Sequence, residues 1–385
     1  LALSRSPGTA LLAPQAGTPD SDGGGCRGGA GAVPFTTMVS VDGAGSDRPR
    51  RAANIRDVAA AAGVSHQTVS RVINGHANLR ESTRRRVLDA MEELQFRPNR
   101  AARALVTKES RIIGALVASG AEYGPTASLQ AVQTAANEAG YVVDAAHIDT
   151  ADRASIEAAL DRLMSHAVEG LVLLAPQSRT LEVIEQLSIR IPFVTVHSLH
   201  SEDHRMSVDQ LAGARLATRC LLELGHRDVV HVPGPQEWVE TQARRQGYLE
   251  EMAAWDLPPA VVPAGEWTAE SGYRVGVALR AQERFSAAVC GNDHIALGLV
   301  HAYAEAGLRV PADFSVVGFD DVPEAGHFLP PLTTVRQDFP ELGRRCIAVL
   351  LAELRGEAPP TAGDVAPRLI RRASTAPPPP AVIKK

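Results

Sequence analysis

Asn54-Ile55-Arg56-Asp57-Val58-Ala59-Ala60-Ala61-Ala62-Gly63-Val64-Ser65, running on into His66-Gln67-Thr68-Val69-Ser70-Arg71-Val72-Ile73-Asn74, is the stretch on which the reading of the fold turns. Asn54 is an N-cap residue ahead of strong helix formers, and Gly63, which adopts positive φ without strain, stops the helix. Ser65 caps a second helix. In it Val69, Val72 and Ile73 are spaced to face the first, leaving His66, Gln67, Thr68 and Arg71 on the outer side. Ala59 is small where the two helices touch, Gly63 makes the turn and Val69 plugs the interface, which is the logic of a helix-turn-helix. A third helix is expected from Ser82 to Leu94, with Val87, Leu88, Met91 and Leu94 on one stripe.

Charge concentrates around this stretch. Between Arg48 and Arg111 stand fourteen Arg and Lys against six Asp and Glu, a net of +8 inside a chain whose overall charge is -5. Such a segment is an electrostatic footprint for phosphate; without an accompanying motif a solvated basic face reads equally well. Here the glycine turn and the apolar spacing accompany it.

The remaining composition bounds the answer. At 385 residues, 45% hydrophobic and 22% charged, the chain has room for two or three domains with a sizeable core. Residues 1–51, rich in Gly, Ala, Pro and Ser with Phe35 as the one aromatic residue, read as a disordered extension, and Met38 inside it is a possible true start. Residues 376–385 read as a Pro-rich tail. No apolar run approaches the roughly 20 residues of a membrane span, and Ala10-Leu11-Leu12-Ala13, cut off by Pro14, makes a poor secretory leader, so a cytoplasmic, nucleoid-associated protein is expected. Cys26, Cys220, Cys290 and Cys346 form no CxxC pair and no cluster with histidine; reduced thiols, no metal site and no cofactor are expected.

From Arg111 onward the pattern is β/α alternation. Strands are expected at 112–117, 141–143, 170–174 and 192–196, with helices near 128–138, 155–166 and 179–187. The rhythm restarts with strands at 229–232, 287–290 and 314–317. The expected fold class is therefore α/β: an all-α helix-turn-helix head over 52–96, a hinge helix and linker over 97–110, and two doubly wound parallel-sheet lobes over 111–375, whose ligands sit beyond the carboxyl ends of strands. No P-loop, GxGxxG or GxSxG follows a strand, and no His and Asp group as a triad, so an enzyme is not expected.

The quoted residues, together with Arg97-Pro98-Asn99-Arg100-Ala101-Ala102-Arg103-Ala104-Leu105, resemble the LacI family of bacterial repressors. Leu224-Gly225-His226, Gly291-Asn292-Asp293, Ser315-Val316-Val317-Gly318-Phe319-Asp320-Asp321 and Pro331-Leu332-Thr333-Thr334-Val335 resemble its effector domain, shaped like a periplasmic sugar-binding protein. The resemblance implies that His66, Gln67 and Arg71 read base edges in the major groove and that Leu105 and its dimer mate wedge into the minor groove. Asn54, Ser65, Thr68, Ser70, Asn74, Asn99, Arg100 and Ala102 complete the implied DNA contacts. Pro98 at the first position of a short helix, and an apolar Leu105 among arginines, agree with a hinge that something receives.

For the effector, the resemblance implies Arg244, Asn292 and Asp320 as hydrogen-bonding groups suited to sugar hydroxyls, and Trp267 as an apolar face. Leu174, His197 and Glu122 depart from the pattern of a galactoside-binding member of the family, so the sugar is expected to differ. Because no leucine-heptad tail follows the lobes, a homodimer on palindromic double-stranded operator DNA is expected, and the resemblance implies its release by a mono- or disaccharide. A solute-binding protein, a sugar-modifying enzyme and a regulator with a non-sugar effector or corepressor are the alternatives.

Overall fold

Asn54 Oδ1 accepts from the backbone N–H groups of Arg56 and Asp57 at 2.8 and 3.2 Å, while Asp57 Oδ2 accepts from the Asn54 N–H at 2.8 Å. This reciprocal capping box starts α1 (Ile55–Ala62). The helix ends at Gly63, φ +62°, where the N–H groups of Gly63 and Val64 fold back onto the Ala60 and Ala59 carbonyls. The Ser65 hydroxyl accepts from the Thr68 N–H at 3.2 Å and so caps α2 (His66–Ile73). With α3 (Glu81–Glu93) these helices enclose a small core of Val58, Ala59, Ala62, Val69, Val72, Val87 and Ala90. Leu88 is 49% exposed, a correction to the expected stripe. The inward arc is buried Val87 and Ala90 with half-buried Met91 and Leu94, at i, i+3, i+4 and i+7, and Leu88 lies one residue, about 100° of helix, beyond Val87.

The computed structural model describes residues 53–73, 79–97, 109–118, 120, 122–149, 152–174, 177, 180, 182, 183, 186, 189–196, 205–282, 284–360 and 363–378. The N-terminal extension, the hinge stretch 98–108, most of the helix expected at 179–187 and the tail from Pro379 onward fall outside them. The chain divides into two compact units, one ending at Phe96 and the other beginning at Arg97.

The second unit contains two five-stranded sheets. In the first lobe β1 (Ile112–Ala118), α4 (Tyr123–Glu138), β2 (Val142–Ile148), α5 (Arg153–Ser165), β3 (Gly170–Leu174), β4 (Phe193–Val196) and β5 (Arg205–Met206) build an all-parallel sheet in the order β2-β1-β3-β4-β5. Its central strands are buried along almost their whole length, as a sheet covered on both faces requires. In the second lobe α6 (Gln210–Glu223), β6 (Val229–Val232), α7 (Val239–Ala254), α8 (Ala269–Arg280), β7 (Ala287–Cys290), α9 (Asp293–Glu305), β8 (Ser315–Asp320) and β9 (Thr333–Arg336) repeat the pattern. α10 (Phe339–Leu354) then returns to the first lobe, where Leu342, Cys346, Ile347 and Leu350 join the core around Val172, Val194 and α4. β10 (Arg368–Ile370) crosses back to close the second sheet as an antiparallel edge in the order β10-β9-β8-β7-β6. The two lobes are thus joined by three passages of chain, near Val208, Gln337 and Val365.

Beyond β10 the chain is stitched to β8, where Ser374 Oγ donates to the Val316 carbonyl at 2.6 Å, and to the turn before β6, where the Ala376 carbonyl accepts from His226 at 2.8 Å. Ordered contacts therefore continue past 375 into the first residue of the Pro-rich segment. Cys220, Cys290 and Cys346 are buried free thiols, and among the described residues no helix is long and apolar enough to cross a membrane.

A buried histidine in this core carries a pH dependence. His231 on β6 is 1% exposed, stacks on Tyr248 with ring centroids 5.1 Å apart, and donates from Nδ1 to the Val289 carbonyl at 2.9 Å, while Nε2 meets no hydrogen-bond partner among the described residues. Burial lowers its pKa to about 4, against the pull of the Val289 bond, and the charges of Arg244 and Arg245 push the same way as burial. The unfolded chain takes up this proton near pH 6.5, so the contribution of the neutral ring is complete above 6.5 and is lost as the pH falls toward 4. Denaturant unfolding of His231→Phe should lose up to about 1.4 kcal/mol per pH unit of wild-type slope in that window. An unchanged slope removes His231 from the acid response.

Candidate ligand cleft and candidate nucleic-acid interface

The polar residues of the second unit collect where strands end. β6 runs into Pro233-Gly234 and β7 into Gly291; a Cβ would lie 2.5 Å from the Trp267 ring at Gly234 and 3.0 Å from it at Gly291. Glycine at both places is what lets the indole lie across the sheet end. Trp238, just before α7, meets Trp267 edge-on, with centroids 5.5 Å apart and planes 77° apart. Asn292 caps α9 by accepting from the Ile295 N–H at 2.8 Å and holds the Trp267 carbonyl through Nδ2 at 3.1 Å. Much of its hydrogen-bonding capacity is spent on positioning the indole.

Beside the indoles four side chains form a closed ring. Arg244, on α7 with its guanidinium 3.8 Å above the centroid of Phe319, donates through Nε to Gln210 Oε1 at 2.8 Å, through Nη1 to the Gly291 carbonyl and through Nη2 to Asp320 Oδ1 at 3.4 Å. Gln337 Nε2 donates to the same Asp320 oxygen at 2.7 Å, and Gln210 Nε2 donates to Gln337 Oε1 at 2.8 Å. All four are buried. Burial raises the Asp320 pKa and lowers that of Arg244, and in each case the partner's charge opposes the shift. Gln210 begins α6 and Gln337 follows β9, so the ring sits on two of the passages between the lobes.

An inner cavity of about 30 Å³ opens above this ring, walled by Glu122, Tyr123, Trp238, Glu240, Arg244, Trp267, Asn292, Asp320 and Gln337. It adjoins a wider hollow of about 520 Å³ that shares Glu122, Tyr123, Trp238, Trp267 and Asn292 and adds Glu237, Glu266 and His294. Five residues singled out in the sequence, Arg244, Trp267, Asn292, Asp320 and Glu122, therefore meet in one cleft with both lobes contributing. His197 lies outside the described residues. Leu174, at the carboxyl end of β3, is fully buried in the first lobe's core. The sequence reading missed Tyr123, Trp238, Glu240 and Gln337. Gln337 was findable, since it follows β9 as Asp320 ends β8; the others arrive through packing between elements far apart in the chain.

On the head, His66, Gln67 and Arg71 are exposed along one face of α2 opposite Val69 and Val72. Thr68 and Ser70 are half-buried, and the Thr68 hydroxyl lies 3.0 Å from that of Ser65. Asn54 Oδ1 is occupied by the cap. Asn74, Asn99, Arg100, Ala102 and Leu105 lie outside the described residues.

The ring's energetics are testable. Removing one member of a buried ion pair leaves the other charge uncompensated, at about 3–5 kcal/mol, whereas removing both charges costs far less. Arg244→Ala should destabilise the second unit by roughly that amount. Adding Asp320→Asn should recover part of the loss in a double-mutant cycle read by denaturant unfolding. Strict additivity of the two would mean that the pair is not coupled.

Comparison with known proteins agrees with this anatomy. Residues 54–99 match the model described as bacterial regulatory proteins, lacI family, and 218–375 match the periplasmic binding protein-like domain. The chain is 33% identical to the lactose operon repressor of Escherichia coli over 78% of this chain and 85% of that one. It is 34% identical to the HTH-type transcriptional repressor PurR of Pectobacterium carotovorum over 84% and 97%. Among solved structures it is similar to a lac repressor dimer bound to operator and the anti-inducer ONPF, with TM-score 0.75, 30% identity and 85% and 100% of the two chains covered. It is also similar to the transcriptional regulator CelR in complex with cellobiose, with TM-score 0.62, 28% identity and 84% and 99% covered. With a helix-turn-helix head, two parallel-sheet lobes and relatives of this identity along most of its length, the chain belongs to the LacI family: it is a transcriptional repressor that binds operator DNA, and not an enzyme.

Proposed function

We propose that this repressor binds a palindromic operator as a homodimer in the cytoplasm and is released from it by a mono- or disaccharide held in the cleft between the lobes. The observation that carries the reading is the meeting of Arg244, Asp320 and Gln337 with the Trp267 indole: paired donors and acceptors for hydroxyl groups beside an apolar face for a sugar ring. A relative in complex with cellobiose and one bound to the anti-inducer ONPF support a small ligand in such a cleft. The proposed division of labour is a head over 52–96, a hinge over 97–110 and an effector-binding and dimerising body over 111–375.

On DNA, His66, Gln67 and Arg71 supply base-edge contacts from the exposed face of α2. Asn54, Ser65, Thr68, Ser70 and Asn74 supply surrounding polar contacts. Asn99, Arg100 and Ala102 bring the hinge to the minor groove, where Leu105 from each protomer wedges between base steps. Sugar releases DNA only through a preference for the arrangement of lobes that does not favour the DNA-bound hinge.

Arg71→Ala should cost about 1–3 kcal/mol of operator affinity and relax sequence preference, as read by binding to the operator and to single-base variants. Equal affinity for all of them in wild type and variant alike would take Arg71 out of the readout. A releasing sugar should change tryptophan fluorescence and weaken operator binding over the same concentration range, because both report one ligand-linked equilibrium. Asp320→Asn should abolish that release while leaving operator binding intact. A sugar that tightens operator binding instead would make the ligand a corepressor, and release of the variant at the wild-type concentration would exclude Asp320 from the site.

A further inference from the structure

A second groove, of about 460 Å³, runs between α4 and the chain that leads from β9 into α10, and it shares Tyr123, Asp320 and Gln337 with the inner cavity. Its size falls within that of small-molecule sites, about 300–1,000 Å³. The edge-on contact of Tyr123 with Phe339, ring centroids 5.9 Å apart, marks one end. Farther along, a Cβ on Gly343 would stand 2.5 Å from the Ala131 carbonyl carbon, so α10 crosses α4 there and Arg344 follows at once. Ala127 and Ala131 give the α4 wall an apolar floor, and Gln130 and Thr134 are exposed above it.

Positive charge is in surplus on the other wall. Asp321 accepts from both Arg336 and Arg372 at 2.6 Å, and Glu341 accepts from Arg344 at 2.7 Å and from Arg345 at 2.8 Å. The bonds from Arg345 and then Arg344 hold the Glu341 carboxyl below its usual range. Each acid therefore carries two guanidinium groups, and each cluster keeps one positive charge. Arg336 is bonded through Nε alone and Arg344 through Nε and Nη2, which leaves both terminal nitrogens of Arg336 and Nη1 of Arg344 without a partner among the described residues. Asp320 supplies no counter-charge, because Arg244 offsets it within the ring. Glu138, the other carboxylate on the α4 wall, stands about 10 Å along the helix beyond Ala131.

We propose that this groove is a second ligand site, separate from the sugar cleft, which takes a compact organic dianion between Arg336 and Arg344 and thereby tunes the response to sugar. Two surplus charges with unspent N–H groups call for two negative charges, and the guanidinium fork fits phosphate and carboxylate oxygens alike. The Ala127–Ala131 floor receives a short carbon skeleton. The tuning follows from the shared wall and rests on the reading of the cleft as a sugar site. Arg336 ends β9 in the second lobe, whereas Arg344 and α4 belong to the first, so a ligand held by both binds best to one arrangement of the lobes. That arrangement also sets the geometry of Asp320 and Gln337, which the sugar meets.

The test is calorimetric titration of the full chain, in about 0.15 M salt so that exposed charges at a distance are screened, with glycerol 3-phosphate and with succinate. The two probes separate phosphate from dicarboxylate, and glycerol is the neutral control. At least one dianion should bind with Kd below about 1 mM, and glycerol should give no heat at that concentration. Arg344→Gln removes one surplus charge and Gln130→Glu adds a negative charge on the facing wall. Both positions are exposed and outside the ring, with operator binding as the control for folding, and each variant should weaken the dianion by about tenfold or more. In the wild type, but not in Arg344→Gln, the bound dianion should shift the sugar concentration that half-releases operator by about fivefold or more. No heat from either dianion, or equal binding in the wild type and both variants, overturns the site. Binding that leaves the releasing concentration unmoved overturns the tuning. If no sugar releases operator, the reading of the cleft fails, while the titrations still decide the groove.

Discussion

The closed ring of Arg244, Asp320, Gln337 and Gln210 is the constraint on which the second unit is organised. Burying a guanidinium and a carboxylate is costly, and their attraction offsets that cost only while the remaining donors and acceptors are also satisfied. The two glutamines do this, and each stands where the chain passes between lobes. A displacement of those passages that parts Gln210 from Gln337 leaves buried amide groups unpaired, at about 1–3 kcal/mol for each group. The lobes are consequently held by a contact with few intermediate settings. A ligand that touches Asp320 or Gln337 touches the same contact, which is the differential interaction that coupling between ligand and lobe arrangement needs.

Local backbone geometry serves that ring. β8 ends with Asp320 at φ +107° and Asp321 at φ +55°, conformations that cost a non-glycine residue roughly 1–3 kcal/mol each. The surroundings hold them there. Asp321 is clamped at 2.6 Å by both Arg336 and Arg372, and Asp293 pins the segment through the Val322 N–H at 2.8 Å and the Thr334 hydroxyl at 2.5 Å. Gly318 leaves room for this, since a Cβ there would stand 2.1 Å from Asp293 Oδ1. Asp293 is fully buried, and burial with the nearby Asp320 charge raises its pKa well above the ordinary range. Its part is to brace the turn that aims Asp320.

The head was legible in the sequence because its signals are local: a cap at Asn54, a glycine at a left-handed position and apolar residues at helical spacing. Leu88 escaped because a stripe shifted by one residue reads almost as well until a partner helix selects the arc. Strand centres were legible as doubly buried apolar runs, but edges were not. β2 extends through Asp144 and His147 to Ile148, since an edge strand tolerates polar side chains. α4 starts at Tyr123, well before the expected 128, with Pro125 in its first turn, where proline's missing N–H costs nothing. Within the cleft, Arg244, Trp267, Asn292, Asp320 and Glu122 were identifiable from motif and position. Tyr123, Trp238 and Glu240 were not, because their place depends on how the two lobes pack.

The return of α10 to the first lobe has a consequence for synthesis on the ribosome. Leu342, Cys346, Ile347 and Leu350, together with Val365 further on, complete a core whose first-lobe walls are made before residue 210, and β10 closes a sheet whose other strands are complete by Arg336. Neither lobe can finish its interior until nearly the whole chain has emerged, whereas the three helices of the head need nothing beyond Phe96. For most of translation the nascent protein therefore carries a finished DNA-reading module ahead of an unfinished receptor. The α4 surface that α10 will cover stays bare throughout that interval, so the body, and not the head, is the part of the newborn chain that calls for chaperone protection.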